Sequence, residues 1–255
     1  MKFLGIIPAR FGSTRLDGKP LVDIVGKTMI QRVYEKAILA LEHVYVATDD
    51  HRIYNAVLAF GGQAVMTSPN HNSGTNRCLE AFEIIYKKNS THYDVIINIQ
   101  GDEPLLDPAQ LDTLKKCFTD EYIMMATLAT PVKDPDDLDN ESEAFVVFDK
   151  NHNALYFSRS VIPYIKGYPR KTWLQQHTFY KHVGLYAYTP EALGIFASLN
   201  PSLLETKEGL EQNRWLENGN SIKVGITDHV SMCVDTPEDL EKIRVIIKKQ
   251  EANKL

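Results

Sequence analysis

The chain has 255 residues, a length that fits one large α/β domain or a domain with an elaborated insert. Hydrophobic residues make up 44% and charged residues 24% of the sequence, with 14 Gly and 12 Pro, which excludes a disordered, collagenous or repeat chain. The 28 Lys and Arg residues against 33 Asp and Glu residues give a formal charge of −5, so we expect no nucleic acid partner.

The cysteines and the N-terminal segment indicate where the protein works. Cys78, Cys117 and Cys233 lie far apart, without the spacing of a zinc site or a disulfide framework. This pattern favours a reducing, cytoplasmic location. The first apolar run, residues 3–7, is too short for the core of a signal peptide or for a membrane span, so we expect no membrane insertion.

The N-terminal half alternates short apolar runs with longer amphipathic segments, which predicts parallel strands joined by crossover helices. The predicted strands cover residues 3–7, 44–48, 64–66, 95–99 and 124–128. The predicted helices cover residues 29–40, 50–60, 74–88 and 108–118. The predicted fold class is therefore α/β, with a central, mostly parallel sheet covered on both faces.

The pattern changes after Pro131, where the chain becomes rich in Pro and Tyr. Nine of the 24 aromatic residues fall between Tyr156 and Tyr188. This density predicts a smaller β-rich insert around residues 131–190 that forms a substrate wall and a dimer interface, within one domain spanning residues 1–255. The further predicted elements are strands over 145–149, 154–157, 183–188 and 222–226 and helices over 203–218 and 237–250.

The loop after the first predicted strand has the composition of an anion-binding site. It places Arg10, Arg15 and Lys19 among two hydroxyl residues and two glycines. Glycines let the backbone approach oxygen atoms, exposed amides form an anion-binding concavity, and the cations neutralise phosphate. The loop lacks the P-loop pattern and the dinucleotide glycine fingerprint, which disfavours classical ATPases and Rossmann dehydrogenases. A solvated loop with ordinary surface cations is the alternative.

Two acidic segments are candidates for a Mg²⁺ site. Asp102 follows the predicted strand 95–99, and ligands of open α/β sheets bind beyond the carboxyl ends of strands. Carboxylate oxygens suit Mg²⁺, which also binds substrate phosphates. Asp235 precedes the predicted helix at Pro237. The alternative for both aspartates is helix capping, and the sequence alone does not establish that they meet.

Three further polar groups are weak candidates when each is considered alone. The segment 73–77 could cap the following helix, His182 could be a satisfied residue at the start of a strand, and Glu211 with Gln212 could lie on the solvated face of a helix. Together these side chains supply hydrogen-bond donors for a polyhydroxylated acid.

Taken as a set, ordered blocks along nearly the whole chain resemble the 3-deoxy-manno-octulosonate (Kdo) cytidylyltransferase family. The blocks are Ile7-Pro8-Ala9-Arg10, Ser13-Thr14-Arg15-Leu16, Gly18-Lys19-Pro20-Leu21, Ala47-Thr48-Asp49, Ser73-Gly74-Thr75, Gln100-Gly101-Asp102-Glu103-Pro104, Ala154-Leu155-Tyr156-Phe157-Ser158-Arg159, His182 with Gly184 and Tyr186, Leu210-Glu211-Gln212 and Val234-Asp235-Thr236-Pro237-Glu238-Asp239-Leu240. Asp17 departs from the family pattern, in which Pro is frequent there, and it places an anion within the phosphate loop.

The resemblance implies a Rossmann-like nucleotide-diphospho-sugar transferase fold, a homodimer, and the Mg²⁺-dependent reaction of CTP with Kdo. The products would be pyrophosphate and CMP-Kdo, which feeds lipopolysaccharide assembly. It implies catalytic roles for Arg10, Lys19, Asp102 and Asp235, with both aspartates holding Mg²⁺. The implied nucleotide-binding residues are Pro8, Ala9, Arg10, Ser13, Arg15, Lys19, Ser73, Gly74 and Arg77. The implied sugar-binding residues are Gln100, His182, Tyr186, Glu211 and Gln212, and Arg159 would shape the active site or its dimeric surroundings.

Three alternatives stay open. A cytidylyltransferase could act on another acidic sugar, such as a sialic-acid relative or an amino-substituted Kdo. A sugar-1-phosphate nucleotidyltransferase would use a phosphate nucleophile and make a diphosphate product. A nucleotide-binding regulatory protein could keep the fold without turnover, although it would not need two metal-binding carboxylates beside Lys19.

Overall fold

The computed structural model describes residues 1–12, 16–71, 73–120, 122–140, 142–229 and 232–252 of the chain. The chain forms two compact units, Met1–Leu111 with Ser231–Leu255, and Asp112–Val230. The predicted insert around residues 131–190 falls inside the second unit, and its proposed interface role stays a prediction. In the described part of the chain, each helix is too short or too polar to be a membrane-spanning candidate.

The first unit is built on parallel strands. Its strands are β1 (Phe3–Ala9), β2 (Asp23–Ile24), β3 (Lys27–Thr28), β4 (His43–Thr48), β5 (Ala64–Met66) and β6 (Val95–Asn98). The order in the sheet is β6-β1-β4-β5, and each of these pairings is parallel, whereas β2 and β3 form a separate antiparallel hairpin. Leu4, Ile6 and Ile7 of β1 are fully buried, as expected for a strand covered on both faces. The predicted α/β class is confirmed.

Helices join the strands and cover the sheet. In chain order the first helices are α1 (Met29–Ala37), α2 (His51–Ala59), α3 (Gly74–Asn89) and α4 (Pro108–Lys116). Short polar side chains cap three of them: Thr28 accepts a hydrogen bond from an amide of α1, Asp50 from α2 and Ser73 from α3. Each cap stabilises its helix by about 1 kcal/mol. These caps explain why the helices begin close to their predicted starts.

The C-terminal helix completes the first unit. Helix α9 (Pro237–Ala252) buries one apolar face formed by Leu240, Ile243 and Ile247. These side chains pack in one cluster with Val234, and with Ile24 and Met29 from the hairpin region and the start of α1. The cluster holds the segment before α9 close to the loop that follows β1.

The second unit combines antiparallel and parallel pairings. Its strands are β7 (Met125–Pro131), β8 (Phe145–Phe148), β9 (Ala154–Ser158), β10 (Tyr180–Tyr188) and β11 (Lys223–Ile226). Strand β10 pairs antiparallel with β7 and β8, β8 pairs antiparallel with β9, and β11 pairs parallel with β7. Its helices are α5 (Trp173–Gln176), α6 (Pro190–Ser198), α7 (Leu203–Glu208) and α8 (Asn213–Glu217).

Aromatic residues of the predicted insert contribute to the core of the second unit. Phe157, Trp173, Phe179 and Tyr188 are buried, and the rings of Trp173 and Phe179 stack with their centroids 5.8 Å apart. Part of the aromatic density in the sequence therefore reflects core packing. Tyr164 and Tyr168 are exposed.

The predicted helix over residues 203–218 is wrong as a single element. Helix α7 ends where Gly209 adopts a left-handed conformation with a φ of 63°, and α8 starts after Gln212. A left-handed residue is the usual end of an α-helix, and glycine adopts it without strain. Glu211 and Gln212 consequently lie in the connection between two short helices, outside a regular helix face.

Candidate functional site

The first unit contains a cavity of about 320 Å³ at the carboxyl ends of β1 and β6. Because these parallel strands are neighbours, the residues that follow them meet at one edge of the sheet. The cavity is lined by Pro8, Ala9, Arg10, Lys19, Pro20, His71, Ser73, Gly74, Arg77, Gln100, Gly101, Asp102 and Asp235. The described residues that the sequence assigns to nucleotide and metal binding all lie here, whereas Ser13 and Arg15 lie outside the described residues.

Lys19 and the two predicted metal-binding aspartates form the charged centre of this cavity. The Lys19 ammonium donates to Asp102 at 2.6 Å and to Asp235 at 3.1 Å. Desolvation disfavours the charged ammonium, but the charge and hydrogen bond of Asp102, assisted by Asp235, outweigh it and raise the pKa of Lys19. Lys19 is therefore a cation at physiological pH. The structure therefore brings Lys19, Asp102 and Asp235 together, as predicted.

Neither aspartate is committed to capping a helix. Asp107 performs that function for α4, since its carboxylate accepts from the Ala109 amide at 2.9 Å. At α9 the hydroxyl of Thr236 accepts from the Asp239 amide and the carboxylate of Asp239 accepts from the Thr236 amide, in the reciprocal pattern of a capping box. Among the described residues, Asp107 and Thr236 with Asp239 therefore supply these helix caps, and both Asp102 and Asp235 contact Lys19.

A backbone hydrogen bond joins the two acidic segments. The Val234 amide donates to the Asp102 carbonyl at 3.0 Å, and the Val234 side chain is buried in the cluster under α9. Cys233 and Asp235 flank this buried residue. One ligand atom each from Asp102, Cys233 and Asp235 lies within 4.8 Å of the others. Cys233 was not among the predicted site residues, because the spacing of the cysteines in the sequence matches neither a disulfide framework nor a zinc site.

The start of α3 forms another wall of the cavity. Ser73 accepts from the Asn76 amide at 3.2 Å, so its hydroxyl is the helix cap, and Gly74 lies against Pro8, where an added Cβ would be 3.4 Å from the proline ring. The helix N-terminus therefore reaches the cavity with its amides close to the strand end. Such a terminus attracts anions.

Arg77 supports the wall from behind. Its side chain is only 4% exposed, and its guanidinium donates to Thr67 Oγ1 at 2.6 Å and to Asp49 at 3.2 Å. Two of its nitrogens are thereby committed to protein groups. Arg77 consequently acts as a brace between α3 and the segments after β4 and β5, in addition to lining the cavity.

His71 is a lining residue that the sequence analysis did not single out. Its Nε2 forms a short hydrogen bond with the Glu80 carboxylate, which also accepts from the Ser68 amide at 2.8 Å. Glu80 lies two turns into α3 and fixes the orientation of the ring. The sequence signal available for His71 was its position two residues before the Ser73 cap.

In the loop after β1, an aromatic contact joins the described residues on either side of residues 13–15. The Phe11 ring lies against Gly18, where an added Cβ would be 3.0 Å from the ring. Gly18 has a φ of +61°, so glycine is favoured there by conformation as well as by space. The Arg52 guanidinium lies over the Phe11 ring, 3.3 Å from its centroid, and is also paired with Asp50.

Asp17 does not line the cavity. Its side chain is exposed. The hydrogen bond that Arg52 donates to Asp50 is the largest cause of the raised pKa of Arg52; desolvation opposes it, and the charge of Asp17 adds to it. The anion in the loop is therefore countered by Arg52 and is directed to solvent.

The predicted sugar-binding residues of the second unit also lie together. The rings of His182 and Tyr186 have centroids 5.3 Å apart, and the Tyr186 hydroxyl donates to Gln212 Oε1 at 3.0 Å. Gln212 is buried, and its Nε2 has no hydrogen-bond acceptor in the described part of the chain. A buried donor of this kind requires an acceptor, which a bound ligand can supply.

Thr127 fixes the protonation of His182. The Thr127 hydroxyl donates to the Leu185 carbonyl at 2.8 Å, so at 3.0 Å it accepts from His182 Nε2. His182 therefore carries its proton on Nε2 and keeps Nδ1 as an acceptor. Desolvation, followed by the charge of Arg159, lowers the pKa of His182 to about 3, and the ring is neutral at physiological pH.

Glu211 and Arg159 occupy different positions around this group. Glu211 lies 3.6 Å from the Arg214 guanidinium. The Arg159 side chain donates to the carbonyls of Ser142 at 2.6 Å and Glu208 at 3.3 Å. Arg159 thus ties the segment at Ser142 to the end of α7, and its predicted role at the active site stays a prediction.

Comparison with known proteins places this arrangement in a family. The sequence profile described as cytidylyltransferase matches residues 4–222. The chain belongs to the cytidylyltransferase family. This cytidylyltransferase is 56% identical over 246 residues to the 3-deoxy-manno-octulosonate cytidylyltransferase of Parabacteroides distasonis, with 95% of this chain and 96% of the relative covered. The resemblance found in the sequence is confirmed, and so is the prediction of a nucleotidyltransferase.

Two further comparisons bear on the fold and the substrate. The 8-amino-3,8-dideoxy-manno-octulosonate cytidylyltransferase of Shewanella frigidimarina is 47% identical to this cytidylyltransferase over 246 residues, covering 95% of this chain and 97% of the relative. A solved structure of CMP:2-keto-3-deoxy-manno-octonic acid synthetase complexed with CTP is 40% identical, with a TM-score of 0.88 over 98% of this chain and 100% of that chain. The predicted nucleotidyltransferase fold is confirmed.

Proposed function

We propose that this cytidylyltransferase transfers the CMP group of CTP to Kdo and releases pyrophosphate, supplying CMP-Kdo for lipopolysaccharide assembly. The observation that carries the proposal is the convergence of Lys19, Asp102 and Asp235 in a cavity that also contains Arg10. Relatives named for this activity cover almost the whole chain, and a similar solved structure contains CTP.

In this proposal the cavity binds CTP through charge and backbone amides. Arg10 is exposed at its rim and Lys19 is part-buried inside, so both cations are available to phosphate oxygens. The N-terminus of α3 adds amide donors near Ser73 and Gly74. His71 and Arg77 are held by Glu80, Thr67 and Asp49, and they keep this wall rigid.

Asp102 and Asp235 fit a Mg²⁺ ion. Both offer carboxylate oxygens, the donors that Mg²⁺ prefers, and together they already hold the Lys19 ammonium at 2.6 and 3.1 Å. When bound, Mg²⁺ would neutralise phosphate charge and orient the reacting oxygens. Withdrawal of Lys19 to a phosphate would free the two carboxylates for the ion.

The chemistry assigned to the chain is positioning and charge compensation, without a covalent enzyme intermediate. The anomeric hydroxyl of Kdo attacks the α-phosphorus of CTP and loses its proton to solvent. A new oxygen–phosphorus bond forms while the bond to the β-phosphate oxygen breaks, and the bonding electrons leave with pyrophosphate. Arg10 and Lys19 stabilise the negative charge that develops on the leaving group.

We propose that the group formed by His182, Tyr186, Glu211 and Gln212 binds the acceptor sugar. Gln100 lines the cavity of the first unit, and its predicted contact with the sugar stays a prediction. His182 offers Nδ1 as an acceptor for a hydroxyl, and Gln212 offers Nε2 as a buried donor for a carboxylate or hydroxyl. A relative named for the 8-amino sugar makes an amino-substituted Kdo the second candidate. Competition between Kdo and its 8-amino analogue for CMP transfer distinguishes the two acceptors.

Pyrophosphate release from CTP, Kdo and Mg²⁺ tests the proposed function. We expect release by the wild-type enzyme and a decrease in kcat of about 100- to 1,000-fold in Asp102→Asn, with a much smaller loss of stability. Asp136→Asn, at an exposed carboxylate, is the matched control. Tight CTP binding without pyrophosphate release would instead favour a regulatory protein, and normal turnover of Asp102→Asn at saturating Mg²⁺ would reject Asp102 as a ligand.

We further infer that the protein is a cytoplasmic homodimer. The exposed aromatics Tyr164 and Tyr168, in a region whose other large aromatics are mostly packed, support an interface on the second unit. The wide separation of the three cysteines in the sequence supports a reducing compartment. Light scattering of the wild type and of Tyr164→Ser measures the dimer, and an unchanged mass for the variant would remove Tyr164 from the interface.

A further inference from the structure

The cation site contains a sulfur ligand that Mg²⁺ chemistry does not use. The Cys233 side chain is exposed, and its Sγ lies with one oxygen of Asp102 and one of Asp235 inside a group no wider than 4.8 Å. The chain holds this arrangement firmly, because Val234, between Cys233 and Asp235, is buried and donates its amide to the Asp102 carbonyl. The three ligand atoms therefore come from two segments fixed to each other.

The same place already attracts a positive charge. The Lys19 ammonium lies at 2.6 Å from Asp102 and 3.1 Å from Asp235, between the carboxylates that neighbour the thiol. The site therefore selects cations by charge before any choice among metals. The ammonium also marks where a small cation would be stabilised by both carboxylates at once.

The ligand set and its spacing suit a soft divalent cation. Zn²⁺ binds sulfur at about 2.3 Å and oxygen or nitrogen at about 2.0 to 2.2 Å, so ligand atoms of a tetrahedral site lie roughly 3.3 to 3.8 Å apart. The limit of 4.8 Å in this structure is about 1 Å wider than that spacing. Mg²⁺ takes oxygen ligands and gains little from a thiol, whereas Zn²⁺ and its heavier analogue Cd²⁺ gain a strong bond.

We propose that Cys233 makes the Asp102–Asp235 cluster a binding site for thiophilic divalent cations, Zn²⁺ or Cd²⁺, which compete there with Mg²⁺. The proposal rests on the proposed CTP and Mg²⁺ site. On coordination the thiol releases its proton to solvent and a sulfur–metal bond forms, without change of oxidation state. Replacement of Mg²⁺ by such a cation would remove the proposed Mg²⁺ from the CTP phosphates and inhibit CMP transfer.

Titration of the full-length protein with Cd²⁺ alone tests the site, because a Cd²⁺–thiolate bond gives an ultraviolet charge-transfer band. We expect the band of the wild type to saturate at one equivalent of Cd²⁺ per protein chain. Cys233→Ser keeps the side-chain shape but replaces sulfur by a hard oxygen. It is expected to lose the band and to weaken Cd²⁺ binding at least about tenfold, while the Kd for Mg²⁺ changes by less than about threefold. Cys78 and Cys117 are buried and serve as internal controls for unspecific thiol binding.

Further variants separate the proposal from the function it rests on. Asp102→Asn and Asp235→Asn are each expected to weaken Cd²⁺ binding with the thiol intact, and urea unfolding verifies that all variants are folded. The proposal would be overturned if the band persisted in Cys233→Ser or if that variant bound Cd²⁺ as tightly as the wild type. It would also be overturned if both aspartate variants kept the band and the Cd²⁺ affinity of the wild type. Failure of the proposed function appears separately, as absence of pyrophosphate release by the wild type with Mg²⁺, CTP and Kdo.

Discussion

Replacement of Lys19 by Met removes the ammonium between Asp102 and Asp235, and the change in unfolding free energy measures how much this charge stabilises the fold. At an effective dielectric constant of about 20, attractions over 2.6 and 3.1 Å amount to about 6 and about 5 kcal/mol. Desolvation of the ammonium and the partial exposure of the carboxylates, 28% for Asp102 and 38% for Asp235, offset most of this. A net loss of about 2 to 3 kcal/mol is therefore expected, the range for a hydrogen bond between charged groups.

Urea unfolding in a chelating buffer measures this loss, with Lys19→Arg as the matched variant that keeps the charge. The Lys19→Met protein leaves two facing carboxylates without their ammonium, so added Mg²⁺ is expected to raise its unfolding free energy more than that of the wild type. Equal unfolding free energies for Lys19→Met and the wild type, or an equal loss in Lys19→Arg, would refute the argument that the charge between the carboxylates stabilises the fold.

Three other substitutions test separate parts of the structure. Arg77→Met is expected to lower the free energy of urea unfolding by about 2 to 3 kcal/mol, because it leaves the buried Thr67 hydroxyl and the Asp49 carboxylate without their donor. An unchanged urea midpoint would contradict the role of Arg77 as a brace. Arg52→Met removes the guanidinium over Phe11. Steady-state kinetics are expected to give a KM for CTP about two- to fivefold higher with kcat retained. A change in kcat alone would argue that Arg52 does not position the loop after β1. His182, whose pKa is lowered to about 3, resists protonation in the folded protein. The unfolding free energy is therefore expected to fall as the pH drops through 6.5, by about 2 kcal/mol between pH 8 and pH 5. Loss of this pH dependence in His182→Gln would verify the assignment, whereas an unchanged pH slope would exclude His182 as its source.

The sequence predicts the elements of the first unit and the position of its cavity residues well, because its signals are local. Apolar runs mark β1 and β6, and Ser73 marks the start of α3 with a cap that depends on residues three positions apart. The segments that follow these strands carry the cavity residues automatically, since the carboxyl ends of parallel neighbours share an edge. The α/β class and the position of Asp102 were predictable for this reason.

Long-range relations were not predictable in the same way. Asp235 is separated from Lys19 by 216 positions, and only the packing of Val234 and α9 shows that Thr236 caps the helix while Asp235 faces the ammonium. The break at Gly209 was missed because it depends on the left-handed conformation of a single residue, with a φ of 63°, which the sequence does not specify. Cys233 was missed because its ligand partners depend on the same long-range packing.

The contribution of the last segment to the first unit sets an order of events during synthesis on the ribosome. Strands β1, β4, β5 and β6 can pair before Val234 and α9, which cover Ile24 and Met29, have left the ribosome. A nascent chain therefore exposes that apolar surface until residues 234–252 emerge, and the cavity acquires its second carboxylate only then. A product terminated before Asp235 would keep these strands and yet lack the carboxylate that pairs with Lys19 beside Asp102.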